Sequence, residues 1–309
     1  MSSILTNVSA MTALRSLQNT NNQMEITQNR ISTGMRVAEA SDNAAYWSIA
    51  TTMRSDNKAL STVQDALGLG ASKIDVAYTG MNSAIEVVDE IKTKLVAARE
   101  PGVDRSKIQS EISQLQEQLT GIASAAGIDG SNWLSVDSTA ATYDANQTIV
   151  SSFNRAADGS VSISTISIDI SSVSLFDANG DALLDTDFTT SAALDGGSAI
   201  TTTVATLDIS GATVTDVDIE DMISEVDSAL QSMTTAAADL GAAGKRIDIQ
   251  TEFVTNLMDA VDRSVGQLVD ADMSAESTKL QALQTQQQLG IQALSIANGN
   301  AQSILALFR

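Results

Sequence analysis

The chain has no cysteine and no histidine. Their absence removes disulfides, thiolate nucleophiles, imidazole bases and most zinc sites together. One proline, Pro101, leaves long helices uninterrupted. Aromatic residues are only 3% of 309, which suits a thin helical rod packed by aliphatic stripes better than a thick globular core. Positive charge is scarce: 17 Lys and Arg stand against 38 Asp and Glu, net −21. That argues against nucleic acid as a partner. No apolar run approaches the ~20 residues of a membrane-spanning helix, so no membrane insertion is expected. The N-terminal MSSILTNVSAMTALR has no basic lead before an apolar block. No cleavable secretory signal is expected, and export would need another route.

What is present is a seven-residue apolar repeat. Met53, Leu60, Leu67, Ile74, Met81, Val88 and Leu95 stand seven apart. A companion series, Ile49, Asp56, Val63, Gly70, Ala77, Ala84 and Ile91, is apolar or small except at Asp56. A repeat this long predicts a coiled-coil seam. At ~1.5 Å per residue it makes a rod of roughly 70 Å, which needs a partner along its length. Ile219, Val226, Met233, Leu240, Ile247, Val254, Val261 and Leu268 supply one, again seven apart. The expected fold is mainly α with an inserted β domain. The two halves form a long antiparallel coiled-coil helical hairpin, with a small acidic β-rich domain at its tip.

Shorter helices flank these seams. Residues 4 to 33 carry Ala10, Leu14, Leu17, Met24 and Ile31 on one stripe, broken at Asn21 and Gln28. Lys279 to Arg309 carry Leu280, Leu283, Ile291, Leu294, Ile304 and Phe308, broken at Gln286 to Gln288. Polar residues in a seam cost stability and select register. Gly34 is expected to end the first helix, and Ser41 or Asp42 to cap the second. Pro101-Gly102 breaks the rod. Asp104 is expected to cap a third helix, with Ile108, Ile112, Leu115, Leu119, Ile122 and Ala126 inward and Gly127 closing it. Asp218 or Asp221 would cap the returning rod.

Between Ser131 and Glu220 the composition turns to Ser, Thr, Val, Ile and Asp, with thirteen acids against Arg155 alone. Val161 and Ile163, then Ile166, Ile168 and Ile170, alternate as strands do. The rod seams are not expected to depend on this segment. Asp177-Ala-Asn179-Gly180-Asp181 opens like a calcium loop, but Ala182 and Phe188 stand where Gly and Glu belong. A type I′ hairpin at Asn179-Gly180 is the expectation. Asp270 and Asp272 read as a cap or inter-helix hydrogen bond, Lys245-Arg246 as solvated or ion-paired, and Trp47 and Trp133 as packing residues at helix ends. No catalytic residue, cofactor site or metal site is expected.

Several of these stretches carry a resemblance. RISTGMRVAEASDNAAYWSIA, from Arg30 to Ala50, resembles the N-terminal signature of bacterial flagellin. DGSNWL, from Asp129 to Leu134, is similar to that family's turn after the short helix. Leu240-Gly-Ala242 with Arg246 resembles its C-terminal rod motif. Asp270, Asp272 and Glu276, then Gln288, Ala293-Leu294, Ala297-Asn298, Gln302 and Leu305, resemble its C-terminal signature. The likeness spans about residues 1–135 and 220–309 and is closest to the alphaproteobacterial type. Departures are Asn43 for Asp, Tyr46-Trp47 for Gly-Leu, Gly244-Lys245 for Gln-Asn, and Ala301 for Pro.

The resemblance implies a structural subunit that self-assembles into the helical flagellar filament, as a homopolymer or with other flagellins. It implies terminal segments (1–40 with 271–309) that form a coiled-coil filament core and are disordered in the free monomer. A helical rod (41–135 with 219–270) and a variable β-rich outer domain (136–218) complete it. It further implies hook-associated junction proteins, a filament cap protein and an export chaperone as partners, and an extracellular location. A flagellin-sensing animal receptor would grip the rod near residues 85–95 through arginines; here Val87, Asp89 and Glu90 supply none. The alternative is a hook–filament junction protein, which shares the terminal helices. An enzyme-bearing flagellin would need a catalytic insert, and a soluble coiled-coil signalling protein would not need an acidic one.

Overall fold

The structure is a computed structural model that describes residues 7–191 and 199–307, with side chains to residue 299 at the C-terminal end. Five helices dominate it: α1 (Val8–Thr33), α2 (Ala44–Ala98), α3 (Arg105–Ala125), α4 (Asp216–Val269) and α5 (Met273–Leu307). A strand-containing insert lies between α3 and α4. Two compact units form, Met1–Lys58 with Met258–Arg309 and Ala59–Leu257. The boundaries fall inside α2 and α4, where nothing in the sequence marks a break, and the insert groups with the rod segment.

In the first unit, α1 ends where Gly34 adopts φ 71° and donates its N–H to the Arg30 carbonyl. The segment after it lies against the end of α4. The N–H groups of Arg36 and Val37 both reach the Val269 carbonyl, and Ala271 donates to the Gly34 carbonyl. Val37, Ala50, Val265 and Val269 form a small core, with Met53 and Val261 packed around it. Ile49, expected in the seam, is 48% exposed, and the seam starts instead at Ala50. The cap of α2 is Asn43, whose side chain accepts from the N–H groups of Ala45 and Tyr46. Asp42 turns back to Ala38 and Glu39. Trp47, expected to pack, is exposed, whereas Trp133 is buried.

In the second unit, the α2 seam residues Leu60, Leu67, Ile74, Met81, Val88 and Leu95 are at most 3% exposed. Their α4 counterparts Val226, Met233, Leu240, Ile247 and Val254 are at most 1% exposed. Asp104 caps α3 through the Ser106 N–H, and Ile112, Leu119 and Ala123 are buried. Ala126, not Gly127, ends α3. Gly127 instead opens β1 (Gly127–Ile128), which pairs with β2 (Ser131–Asn132). β3 (Ser135–Val136) pairs parallel with β6 (Phe176–Asp177).

The long hairpin of the insert is β4 (Asn146–Arg155) with β5 (Val161–Asp169), bulged at Ser151 between Val150 and Ser152. Ile166, Ile168 and Ile170 are buried, while Val161 and Ile163 at its outer end are exposed. β7 (Phe188–Thr189) pairs with β8 (Thr201–Thr202). Only Gly180, at φ 80°, takes a left-handed conformation in the Asn179-Gly180 turn, so the expected type I′ hairpin does not form. Its flank Phe176–Asp177 is claimed by β3.

The insert is not independent of the rod. A Cβ on Gly70 of α2 would lie 2.7 Å from Ile149 of β4, so the absent side chain makes room for the hairpin. Gly80 does the same for Leu134 and Ala126. Gln250 of α4 donates to the Ser151 carbonyl, and Gln116 of α3 to the carbonyls of Val204 and Leu207. A polar bulge and polar loop carbonyls thereby find partners on helices.

Candidate functional site

The candidate surfaces are the helix pairs. α1 and α5 pack antiparallel in the first unit. Asn7 caps α1 by accepting from the Ala10 N–H and donates to the Ala297 carbonyl at 2.9 Å. Gln287 donates to Asn21 at 2.8 Å. The polar breaks in the two stripes therefore meet, as polar seam residues that select register do. Arg30 and Glu276 form a 3.0 Å ion pair with the carboxylate side chain only 11% exposed. Asp272 caps α5 through Ser274 and Ala275.

The covered stripe differs in detail from the expected one. On α1 it runs through Ala10, Ala13, Leu17, Thr20, Met24, Thr27 and Ile31, and leaves Leu14 exposed. On α5 it passes through Leu280, Leu283, Gln287, Gly290, Leu294 and Ala297, and leaves Ile291 exposed. The steps of three and four select Ala13 and Gly290 over their larger neighbours, and Leu17 lies 3.3 Å from a Cβ built on Gly290. Hydrophobicity alone favours Leu14 over Ala13 and Ile291 over Gly290. Ile304 lies in α5 with its side chain outside the described residues, and Phe308 lies outside them altogether. Val8, Met11, Leu14 and Ile26 on α1, with Leu289, Ile291 and Ile296 on α5, remain exposed.

The second pair is α2 with α4. In the second unit Gln64 donates to Thr255 at 3.1 Å, Lys92 pairs with Asp227, and Arg99 pairs with Glu220 at 2.9 Å. Going 28 residues up α2, from 64 to 92, goes 28 down α4, from 255 to 227. Seven more in each direction reaches Arg99 and Glu220. The Lys92 ammonium holds the Asp227 carboxyl below its ordinary pKa. Of the three intervening positions of the same edge, the first two hold Ala71 and Tyr78, in step with Asp248 and Gly241, and the third Ile85, in step with Thr234. Here the polar ladder gives way to a groove of about 450 Å³ lined also by Ile74, Gly244 and Lys245.

In the stretch Val87 to Glu90, Asp89 and Glu90 are exposed, but Val87 is buried at 7% exposure beside Val88 and Ile91. Val87 is a packing residue, not a surface position that has lost an arginine. Among the described residues no group of three Asp and Glu is placed to hold a metal ion, and no helix is long and apolar enough to cross a membrane. Asp177, Asp181 and Asp185 serve loop hydrogen bonds with Ser138, Asn179 and Asp177 respectively. Asp218, expected as a cap, instead receives the N–H and hydroxyl of Thr215, while the Thr215 hydroxyl accepts from the Asp218 N–H. The cap of α4 is thus Thr215, in a reciprocal box. Asp221 accepts from Ser191.

Comparison with known proteins matches both helical regions and the whole length. The family model of the bacterial flagellin N-terminal helical region matches residues 4–139, and that of the C-terminal helical region residues 223–308. Flagellin C of Rhizobium meliloti (strain 1021) is 51% identical, and Flagellin A of Rhizobium meliloti 45%. Flagellin of Brucella melitensis biotype 1 is 48% identical. Each alignment covers 100% of both chains.

Proposed function

The chain belongs to the bacterial flagellin family and is a structural subunit of a filament, and we propose that it polymerises through the apolar faces that the α1–α5 pair leaves open. The observation that carries this is the exposure of Met11, Leu14, Ile26, Leu289, Ile291 and Ile296 on two helices already paired with each other. Two helices can bury only one stripe each, and a second apolar face has to meet another copy or water. On this reading residues 1–40 with 271–309 form the filament core, 41–135 with 219–270 the rod layer, and 136–218 the outward layer. The subunit works outside the cell, without catalysis or cofactor. Junction proteins, a cap protein and an export chaperone are its further partners.

Purified protein polymerised with added salt and viewed by negative-stain electron microscopy tests the reading. Filaments are expected from the intact chain and none from chains lacking residues 1–30 or 285–309. Normal filaments from either truncation would overturn the assignment of the core.

We infer on the same ground that the protein is a poor agonist of the arginine-gripping animal receptor, because Asp89 presents an acid where a carboxylate partner needs a cation. Val87 is left out of the test, since an arginine there would be forced into a packed site. A reporter assay should show weak signalling by the monomer and a gain with Asp89→Arg. Strong signalling by the unmodified monomer would refute it.

A further inference from the structure

We propose that Ile249 and Phe253 of one subunit seat in the groove beside Tyr78 of a neighbouring copy. The inference rests on the filament reading and names one contact within it. Ile249 and Phe253 lie one turn apart on α4 and are 59% and 56% exposed. They stand away from the seam residues Ile247 and Val254, so the packing of α2 on α4 has no use for them. A large aromatic left out on a helix face is the residue type that anchors interfaces when a pocket receives it.

The groove fits such an anchor. It is an open depression of about 450 Å³ between α2 and α4, where Gly241 and Gly244 remove two side chains from the edge. A Cβ on Gly241 would touch the Tyr78 ring at 3.7 Å, and one on Gly244 would touch Ile74 at 3.5 Å. The floor is therefore apolar and aromatic, where the same edge carries polar pairs at Gln64, Lys92 and Arg99. The rims complement each other in charge. Asp75, Asp248 and Lys245 border the groove, and Lys245 reaches Asp248 only at 4.0 Å with both side chains largely exposed. Arg246 and Glu252 flank Ile249 at three residues on either side. Docking sets Arg246 against the acids of the groove and Glu252 against Lys245. Patch and groove are different surfaces of one chain, so a contact that the two copies do not reciprocate is heterologous and, where its rotation does not close a ring, propagates as an open helical array.

The cysteine-free sequence makes the test direct. Lys245→Cys and Phe253→Cys chains, one of them mass-tagged, are doped into excess unmodified protein, polymerised under reducing conditions and then oxidised. Each variant chain then carries a single cysteine, so any bridge joins two chains. Mixed-tag dimers are expected several-fold above those from the same chains left unpolymerised. Filaments with no such excess would overturn the contact while leaving the filament reading intact. Failure of unmodified protein to polymerise would overturn that reading and the contact with it. In parallel, Ile249→Ala/Phe253→Ala should raise the critical concentration at least tenfold with the monomer's melting midpoint unchanged. An unchanged critical concentration would also refute the contact.

Discussion

Gly70 and Gly68 make a controlled pair at the scale of single residues. Both sit inside α2, where replacing glycine by alanine on an open face stabilises a helix by about 0.5–1 kcal/mol. Gly68 has nothing within 4 Å of a built Cβ, so Gly68→Ala should show that gain. Gly70 would meet Cγ2 and Cδ1 of Ile149 at 2.7 Å. The Cγ2 atom is fixed to a branched Cβ and cannot swing aside. Gly70→Ala should destabilise the protein by about 1–3 kcal/mol. Denaturant unfolding of the two variants checks the sign; equal shifts would show that the hairpin yields.

Capping and pairing belong to the element scale. The Asp218 carboxyl sits below its ordinary pKa: burial opposes this, but hydrogen bonds from Thr190 and Thr215 outweigh it. A depressed folded-state pKa contributes stability that is present above the unfolded value, about 3.9, and is lost as pH falls toward the folded one. Thermal midpoints measured from neutral pH down to about 3 should therefore fall less steeply for Asp218→Asn than for the unmodified chain. At neutral pH the variant should be less stable by about 1.5–3 kcal/mol, the range for hydrogen bonds to a charged group. Parallel acid limbs would remove Asp218 from the linkage.

Between α1 and α5, Arg30→Met leaves the Glu276 carboxylate without its cation in a mostly covered site. The cost should be about 1–3 kcal/mol. The double change Arg30→Met/Glu276→Leu should cost less, because no charge is then stranded. Helix content at 222 nm in urea reads both, and equal losses would mean that solvent already satisfies Glu276.

Net charge acts on the whole molecule. At −21 per chain, copies packed side by side repel one another, and salt screens exposed charges beyond about 8 Å at physiological strength. Asp144, Asp181 and Asp187 of the insert are exposed. Changing all three to Asn should lower the salt needed for polymerisation, read by light scattering. An unaltered salt dependence would place the decisive charges on the helices.

Repeats of seven in α2 and α4, the Asp104 and Gly34 caps, the change of composition after Ser131 and the family signatures were all legible in the sequence. Each is local or periodic, and periodicity survives without knowledge of the partner. The reading failed where two segments compete for one group. Asn43 and Thr215 took the caps assigned to Asp42 and Asp218, and β3 took the edge of Phe176–Asp177. Which of two adjacent residues enters a seam, Ala13 over Leu14 or Gly290 over Ile291, depends on the closeness of the facing helix. Gly70, one of the small members of the companion series, is where Ile149 enters. Sequence alone determined that long paired helices would form, because apolar residues every seven must be covered. Only tertiary structure decided what covers them, because space at a small residue has no local signature until another segment fills it.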